Sequence, residues 1–340
     1  MTDLSDTARL LVASGKGILA ADESFSTADK RLAQYGIAPS TEMRRKFRDM
    51  LLATPGIEQY LSGVILYEET LSQADDVDEI PSKEVDGLIF PKLLSRRGII
   101  PGIKVDQGLE PLLESPDESI TKGLLGLPER LTAFRTTYGT GFTKWRAAIL
   151  IDGNRLPTAS AIVENAKRLA AYALEVQKAG MVPLLEPEVL LAGKHGRLRA
   201  REVVETTLHA LFDALKEQAV DLSGVLLKTS MVLSGSESGR IDTPEEVAEE
   251  TVGALLAAVP KQVPGIVFLS GGQTADQATA NLAAITKLAR EKHAPWPVTF
   301  SYARALQDEA LAVWQGKDEN EAAAREVFLA RLRKVSEALG

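Results

Sequence analysis

The strongest constraint on how this chain can fold is a pattern that comes round eight times: a short β-like apolar run, then a stretch with helical spacing. The runs are Gly15–Ala21, Gly63–Tyr67, Ile99–Val105, Arg146–Ile151, Met181–Leu185, Gly224–Leu227, Gly265–Leu269 and Pro297–Phe300. Successive starts lie 32 to 48 residues apart, room for a helix and two loops each time. Strands alternating with helices build a parallel sheet. Eight such units suggest closure into a (β/α)8 barrel rather than an open doubly wound sheet. No sequence motif repeats, so the chain is not a solenoid.

The helical stretches carry their own boundary signals. Thr158 to Ala179 is alanine-rich and helical in pattern, with Gly180 at the expected C-cap. Thr243-Pro244-Glu245-Glu246 sets an N-cap, a first-turn proline and two acids at a positive helix end. Thr274-Ala275-Asp276-Gln277 has capping-box spacing. No linker or composition shift divides the chain. The expectation is one α/β barrel domain over residues 1–340, with a short N-terminal helical segment and a closing helix from about Glu319 to Leu339.

Composition narrows the function classes. Of 340 residues, 45% are hydrophobic and 25% charged, an ordinary globular balance with enough apolar material for a full core. The net charge of -8 opposes general nucleic-acid binding. Without cysteine there is no disulfide framework and no Cys-based zinc site. His195, His209 and His293 are scattered, and no two have zinc-ligand spacing. The N-terminus lacks the basic start of a signal peptide, and no apolar run is long enough to span a bilayer. A cytoplasmic protein with no metal, membrane or nucleic-acid partner is expected. Gly15-Lys16-Gly17 lacks the rest of a nucleotide-binding fingerprint, and no Gly-x-Ser-x-Gly elbow is present.

Barrels of this kind build their sites at the C-terminal strand ends. Here those ends are chemically unusual. The run Gly224-Val225-Leu226-Leu227 leads straight into Lys228. Most lysines ending a strand point to solvent. One buried among other cations would instead lose its proton readily and attack carbonyls. The other runs stop at Asp22-Glu23-Ser24, Lys104-Val105-Asp106, Glu186-Pro187-Glu188, Ser270-Gly271-Gly272 and Ser301-Tyr302-Ala303-Arg304. Ser270-Gly271-Gly272 reads either as a tight turn needing positive φ or as an anion cradle ahead of the helix that Thr274 caps. Its position after strand 7, with Arg304 after strand 8, favours phosphate. Glu186 and Glu188 share a face; they are either solvated loop acids or a close pair in which one pKa is raised for acid/base work. Lys144 and Arg146 also share a face, but they begin a run rather than end one, so a surface pair is an open reading.

Taken in order, these segments resemble a known family, the class I, metal-independent, Schiff-base fructose-bisphosphate aldolases. The resemblance covers about Gly15 to Phe328. It rests on Gly-Lys-Gly-Ile-Leu-Ala-Ala-Asp-Glu-Ser at 15–24, Gly-Val-Ile-Leu at 63–66, Gly-Ile-Lys-Val-Asp at 102–106 and Lys144-Trp145-Arg146. It continues with Glu186-Pro187-Glu188, Leu226-Leu227-Lys228, Phe268 to Gln273 and Thr299-Phe300-Ser301-Tyr302. The resemblance implies a sugar bisphosphate substrate, no cofactor, a homotetramer and a role for each matching residue. Lys228 would form the Schiff base and Glu186 would serve carbinolamine dehydration. Asp22 would act near the bond being broken, and Lys144 with Glu188 would position and polarise the intermediate. Lys104, Arg146 and Arg31, with Ser24 and Thr27, would face the sugar and its second phosphate. Ser270, Gly271, Gly272, Ser301, Ala303 and Arg304 would surround the first.

Four departures from the usual vertebrate-type pattern stand out. Phe25-Ser26-Thr27 replaces Thr-Gly-Ser, and Thr229-Ser230 replaces Pro-Asn. Ala303 stands for a glycine, and the sequence closes at Gly340 without a tyrosine-ended tail. That ending would leave enamine protonation to barrel residues. Two rival functions fit fewer of these features: a different Schiff-base lyase or transaldolase, and a silent barrel that binds a phosphosugar or protein partner.

Overall fold

The computed structural model describes residues 3–74 and 88–340. Among the described residues ten strands form: β1 (Gly17–Ala21), β2 (Leu61–Leu66), β3 (Ile100–Lys104), β4 (Leu109–Leu112), β5 (Ser115–Thr121), β6 (Phe142–Ile149), β7 (Val182–Val189), β8 (Leu226–Thr229), β9 (Ile266–Phe268) and β10 (Val298–Tyr302). Eight of them close into a parallel barrel in the order β1-β10-β9-β8-β7-β6-β3-β2. This is the (β/α)8 architecture that the repeating pattern implied. The other two, β4 and β5, pair as an antiparallel hairpin outside the barrel, an excursion between β3 and β6 that no apolar run announced.

Successive side chains of a strand face opposite ways, and the two core clusters follow that rule. Ile18, Ala20, Ile65, Phe142, Val182, Leu184, Leu226 and Val267 make an inner cluster. The alternate positions, among them Leu19, Val64, Ile103, Trp145, Leu185, Leu227 and Phe268, join the larger cluster between sheet and helices. The N-terminal helix Leu4–Leu11 contributes Ala8 and Leu11 to the inner cluster, so it seals the floor of the barrel. Gly102 makes room for this floor: a Cβ there would stand 2.3 Å from Cζ of Phe142.

The outer helices begin and end where their signals lie. Thr158 caps the helix Ala159–Lys178 by accepting from the Ala161 N–H, and Gly180 takes a φ of 71° beyond its end. Thr243 and Glu246 form a full capping box at the start of Pro244–Ala258. The last helix is Glu321–Glu337. Glu118 on β5 accepts from Thr158 N (2.9 Å) and Oγ1 (2.6 Å), which fastens the hairpin to the barrel wall.

The strand bounds correct one expectation. β6 begins at Phe142, four residues before the apolar run at Arg146, so Lys144 and Arg146 lie within the strand. β7 runs past Leu185 to Val189 and takes Glu186 and Glu188 with it. Register then sets Lys104 beside Lys144 and Arg146 beside Glu186.

Candidate active site

Above the apolar floor, the C-terminal mouth of the barrel opens into a cavity of about 750 Å³. Lys228 reaches it from β8 and is 4% exposed. Lys144 and Glu186 enter from β6 and β7, both equally buried. Glu186 is shared: its Oε1 is 3.0 Å from Lys228 Nζ, and its Oε2 is 3.3 Å from Lys144 Nζ. Asp22, at the end of β1, stands 2.6 Å from Lys144 Nζ, and Asp106 stands 4.0 Å from it. Lys228 is therefore not buried among cations alone. Its nearest charge is a carboxylate.

The electrostatics follow from this packing. Burial alone would raise the Glu186 pKa, but Lys144 and Lys228 outweigh it and hold the carboxyl below its usual range. Asp22 is lowered in the same way, burial being opposed chiefly by Lys144 and then Lys228. Burial would lower the Lys144 pKa, yet Asp22, Glu186 and Asp106 together push it well up. Glu186 does not hold the raised pKa expected of one acid in its pair with Glu188, because Lys144 and Lys228 both stand beside it. Glu188 pairs with Arg146, whose pKa burial would depress but Glu188 raises.

The remaining expected residues fall into three groups. Lys104 lines the cavity and pairs with Asp106 Oδ1 at 2.6 Å. Ser24 and Thr27 lie on its rim, their hydroxyls 3.1 Å apart. On the far side stand Ser270, Gly271, Ser301, Ala303 and Arg304. Gly271 and Gly272 both have positive φ, 59° and 90°, just before the helix Ala275–Glu291. Ser301 Oγ is buried without a hydrogen-bond partner among the described residues.

Two expected residues do not line the cavity. Gly272 lies behind the turn, where an added Cβ would meet Arg304 Nη2 at 3.7 Å. Arg31 is turned into the protein: it pairs with Glu23, and it donates to Gln307 Oε1 and Asp308 Oδ1, both at 2.6 Å. Arg48 completes this buried group at 3.0 Å from Glu23 Oε2. Arg31 thus anchors the loop after β1 rather than facing a ligand.

The sequence departures are accommodated locally. Phe25 packs edge-on against Tyr67 at 5.1 Å, and the Arg44 guanidinium lies over its ring at 5.0 Å. Ser230 Oγ donates to Val189 O at 2.9 Å, tying the ends of β7 and β8. Ala303 has a negative φ of −105°, outside the left-handed region that favours glycine. Residues that sequence reasoning left out of the site also line the mouth: Glu23, Tyr67, Glu68, Asp106, Gln107 and Arg130. Asp106 had a signal, as the acid ending a strand; Arg130, near the start of a helix, had none.

The family model for fructose-bisphosphate aldolase class-I matches residues 3–340. The chain belongs to this family. A probable class 1 fructose-bisphosphate aldolase of Xanthomonas campestris pv. campestris is 46% identical over 333 residues, 97% of this chain and 95% of that protein. The cytoplasmic aldolase isozyme of Spinacia oleracea is also 46% identical, over 99% of this chain and 90% of its own length. A solved fructose-bisphosphate aldolase of Plasmodium falciparum, in complex with TRAP and a small-molecule inhibitor, superposes with a TM-score of 0.93 at 42% identity, covering 99% of this chain and 93% of that one. The aldolase is accordingly a lyase of glycolysis, cleaving fructose 1,6-bisphosphate to dihydroxyacetone phosphate and glyceraldehyde 3-phosphate. Among the described residues no helix is long and apolar enough to cross a membrane.

Proposed function

We propose that the cleavage runs through a Schiff base on Lys228, with Glu186 moving the protons. The observation that carries this reading is the single carboxylate shared by two buried lysines in the mouth. Glu186 takes a proton from the Lys228 ammonium. The free amine adds to C2 of the ketose, and the carbinolamine forms. That addition removes one of the cations holding the Glu186 pKa down, so its carboxyl keeps the proton it has taken until the carbinolamine hydroxyl receives it. It gives a proton to the carbinolamine hydroxyl, which leaves as water, and an iminium remains.

The iminium is the electron sink. Glu186, again a carboxylate, accepts the C4 hydroxyl proton. The C3–C4 pair moves into the iminium, glyceraldehyde 3-phosphate departs, and an enamine stays on Lys228. Asp22 and Lys144, paired beside the breaking bond, keep their charges and orient the C4 oxygen. Protonation at C3 and addition of water then release dihydroxyacetone phosphate. Ser270, Gly271, Ser301 and Arg304 hold the first phosphate: the turn offers backbone N–H groups, and Ser301 offers a hydroxyl with no other partner among the described residues. Lys104, Arg146, Ser24 and Thr27 face the far end of the sugar. A homotetramer and a cytoplasmic location fit the family resemblance and the cytoplasmic spinach relative; light scattering on the purified protein tests the first.

The decisive experiment is borohydride reduction in the presence of dihydroxyacetone phosphate, followed by peptide mass mapping. One adduct on Lys228 is expected, and none in Lys228→Arg, because a guanidinium stays charged and cannot form the imine. Labelling elsewhere, or none in the unaltered protein, sinks the mechanism.

A further inference from the structure

Two cations of the mouth have no carboxylate within 4.0 Å among the described residues: Arg304 and Arg130. The others are all neutralised, Lys104 by Asp106, Lys144 by Asp22, Arg146 by Glu188 and Lys228 by Glu186. Arg130 instead donates to two carbonyls, Val105 O at 3.0 Å and Gly123 O at 2.6 Å. Each of its terminal nitrogens keeps one further N–H, and the guanidinium stays charged. The nearest acids that act on it, Glu68 and Asp106, do so from beyond ion-pair distance.

The two unpaired cations stand across the barrel from each other. Arg304 follows β10, and Arg130 lies in the connection from β3 to β6. In the closed sheet β6 is four places from β10, half of the eight-strand ring. A ketose bisphosphate bound through C2 to Lys228 keeps its first phosphate one carbon away, on the β9/β10 side. Its sugar then extends across the mouth, and the second phosphate arrives on the side of β3 and β6. There Lys104 and Arg146 are already compensated, whereas Arg130 is not.

Building on the proposed Schiff-base reading, we infer that Arg130 is a specificity-determining residue, supplying a cation without an ion-pair partner that selects ketoses with a second, distal phosphate. Its two carbonyl bonds fix it in place for this purpose. Val105 O belongs to the loop leaving β3 and Gly123 O to the return from the hairpin, so the guanidinium is held at the base of the excursion and loses little freedom on meeting an anion.

The test compares kcat/KM for fructose 1,6-bisphosphate with that for fructose 1-phosphate, which lacks the distal group. In Arg130→Met the ratio of the two should fall by about tenfold or more, carried mainly by KM for the bisphosphate, as expected for loss of a charge-assisted phosphate contact. Arg130→Lys, which keeps the charge but cannot bridge both carbonyls, should hold the ratio near its original value. An unchanged ratio in Arg130→Met overturns the inference, whether both substrates suffer alike, as for a mere loop anchor, or neither does. A ratio that falls as far in Arg130→Lys also overturns it. Trapping of dihydroxyacetone phosphate on Lys228 in each variant reports an assembled site, and Arg130→Gln replaces Arg130→Met if the latter does not fold. Failure of the Schiff-base reading is separate: it appears in the unaltered protein, as absence of that adduct.

Discussion

In the proposed mechanism Glu186 is the residue on which the chemistry turns, because it pairs with both Lys228 and Lys144. Glu186→Gln keeps the shape but can neither accept nor return a proton. It should lower kcat by about 10²–10⁴-fold, with KM changed little; a pre-steady-state trace should put the loss in imine formation and hydrolysis. An unchanged kcat would remove Glu186 from the mechanism. Asp22 makes a prediction about stability. Its folded-state pKa lies below the ordinary carboxylate value, so the unfolded chain takes up the proton first. Its contribution is fully present above the unfolded value, about pH 4, and is lost as pH falls through the lower folded value. Asp22→Asn removes that contribution. The gap in thermal midpoint between unaltered and variant protein should therefore narrow on going from about pH 6 to about pH 3. A gap that stays constant would mean that the charge of Asp22 carries no stability.

At the scale of elements, the barrel strands depend on positions where nothing larger than glycine fits. Gly102→Ala would drive a Cβ into the buried Phe142 ring, with contacts of 2.3 and 2.4 Å. A loss of about 1–3 kcal/mol is expected, read as a lower denaturant midpoint; an unshifted midpoint would mean that the floor repacks freely. The strands were legible wherever apolar residues were continuous. β6 was read late because Thr143 and Lys144 interrupt its apolar run, although both are buried, one bonded to Tyr172 and the other held by acids. The hairpin left no trace because Leu109 and Leu113 are exposed and Pro111 and Pro116 break the strand pattern. Within the site, family motifs located most of the cavity wall, but a motif does not say which way a side chain turns. Arg31 is drawn away from the mouth by Glu23, Gln307 and Asp308, contacts up to 277 residues distant in sequence. Arg130 was missed for the converse reason: only the folding-back of the β3 excursion brings it to the mouth.

For the whole molecule, the iminium of the proposed mechanism takes the place of a metal ion as electron sink, so turnover is expected to be unaffected by strong chelators. Activity lost in EDTA and restored by zinc would overturn the mechanism. Among the described residues no three His, Cys, Asp or Glu side chains are grouped to hold an ion. The sealed floor has a consequence for traffic. Among the described residues, Leu11, Phe142 and their neighbours close the end of the barrel opposite the mouth, so the mouth is the way in and out. Substrate enters by it, the aldehyde must leave by it, and the water that frees the second product must come in the same way. In the proposed mechanism the three-carbon remnant stays tethered to Lys228, a residue that lines this passage. On the proposed mechanism, the order of departures, aldehyde first and ketone last, is then one that a shared doorway accommodates: the first product clears the passage before water reaches the second.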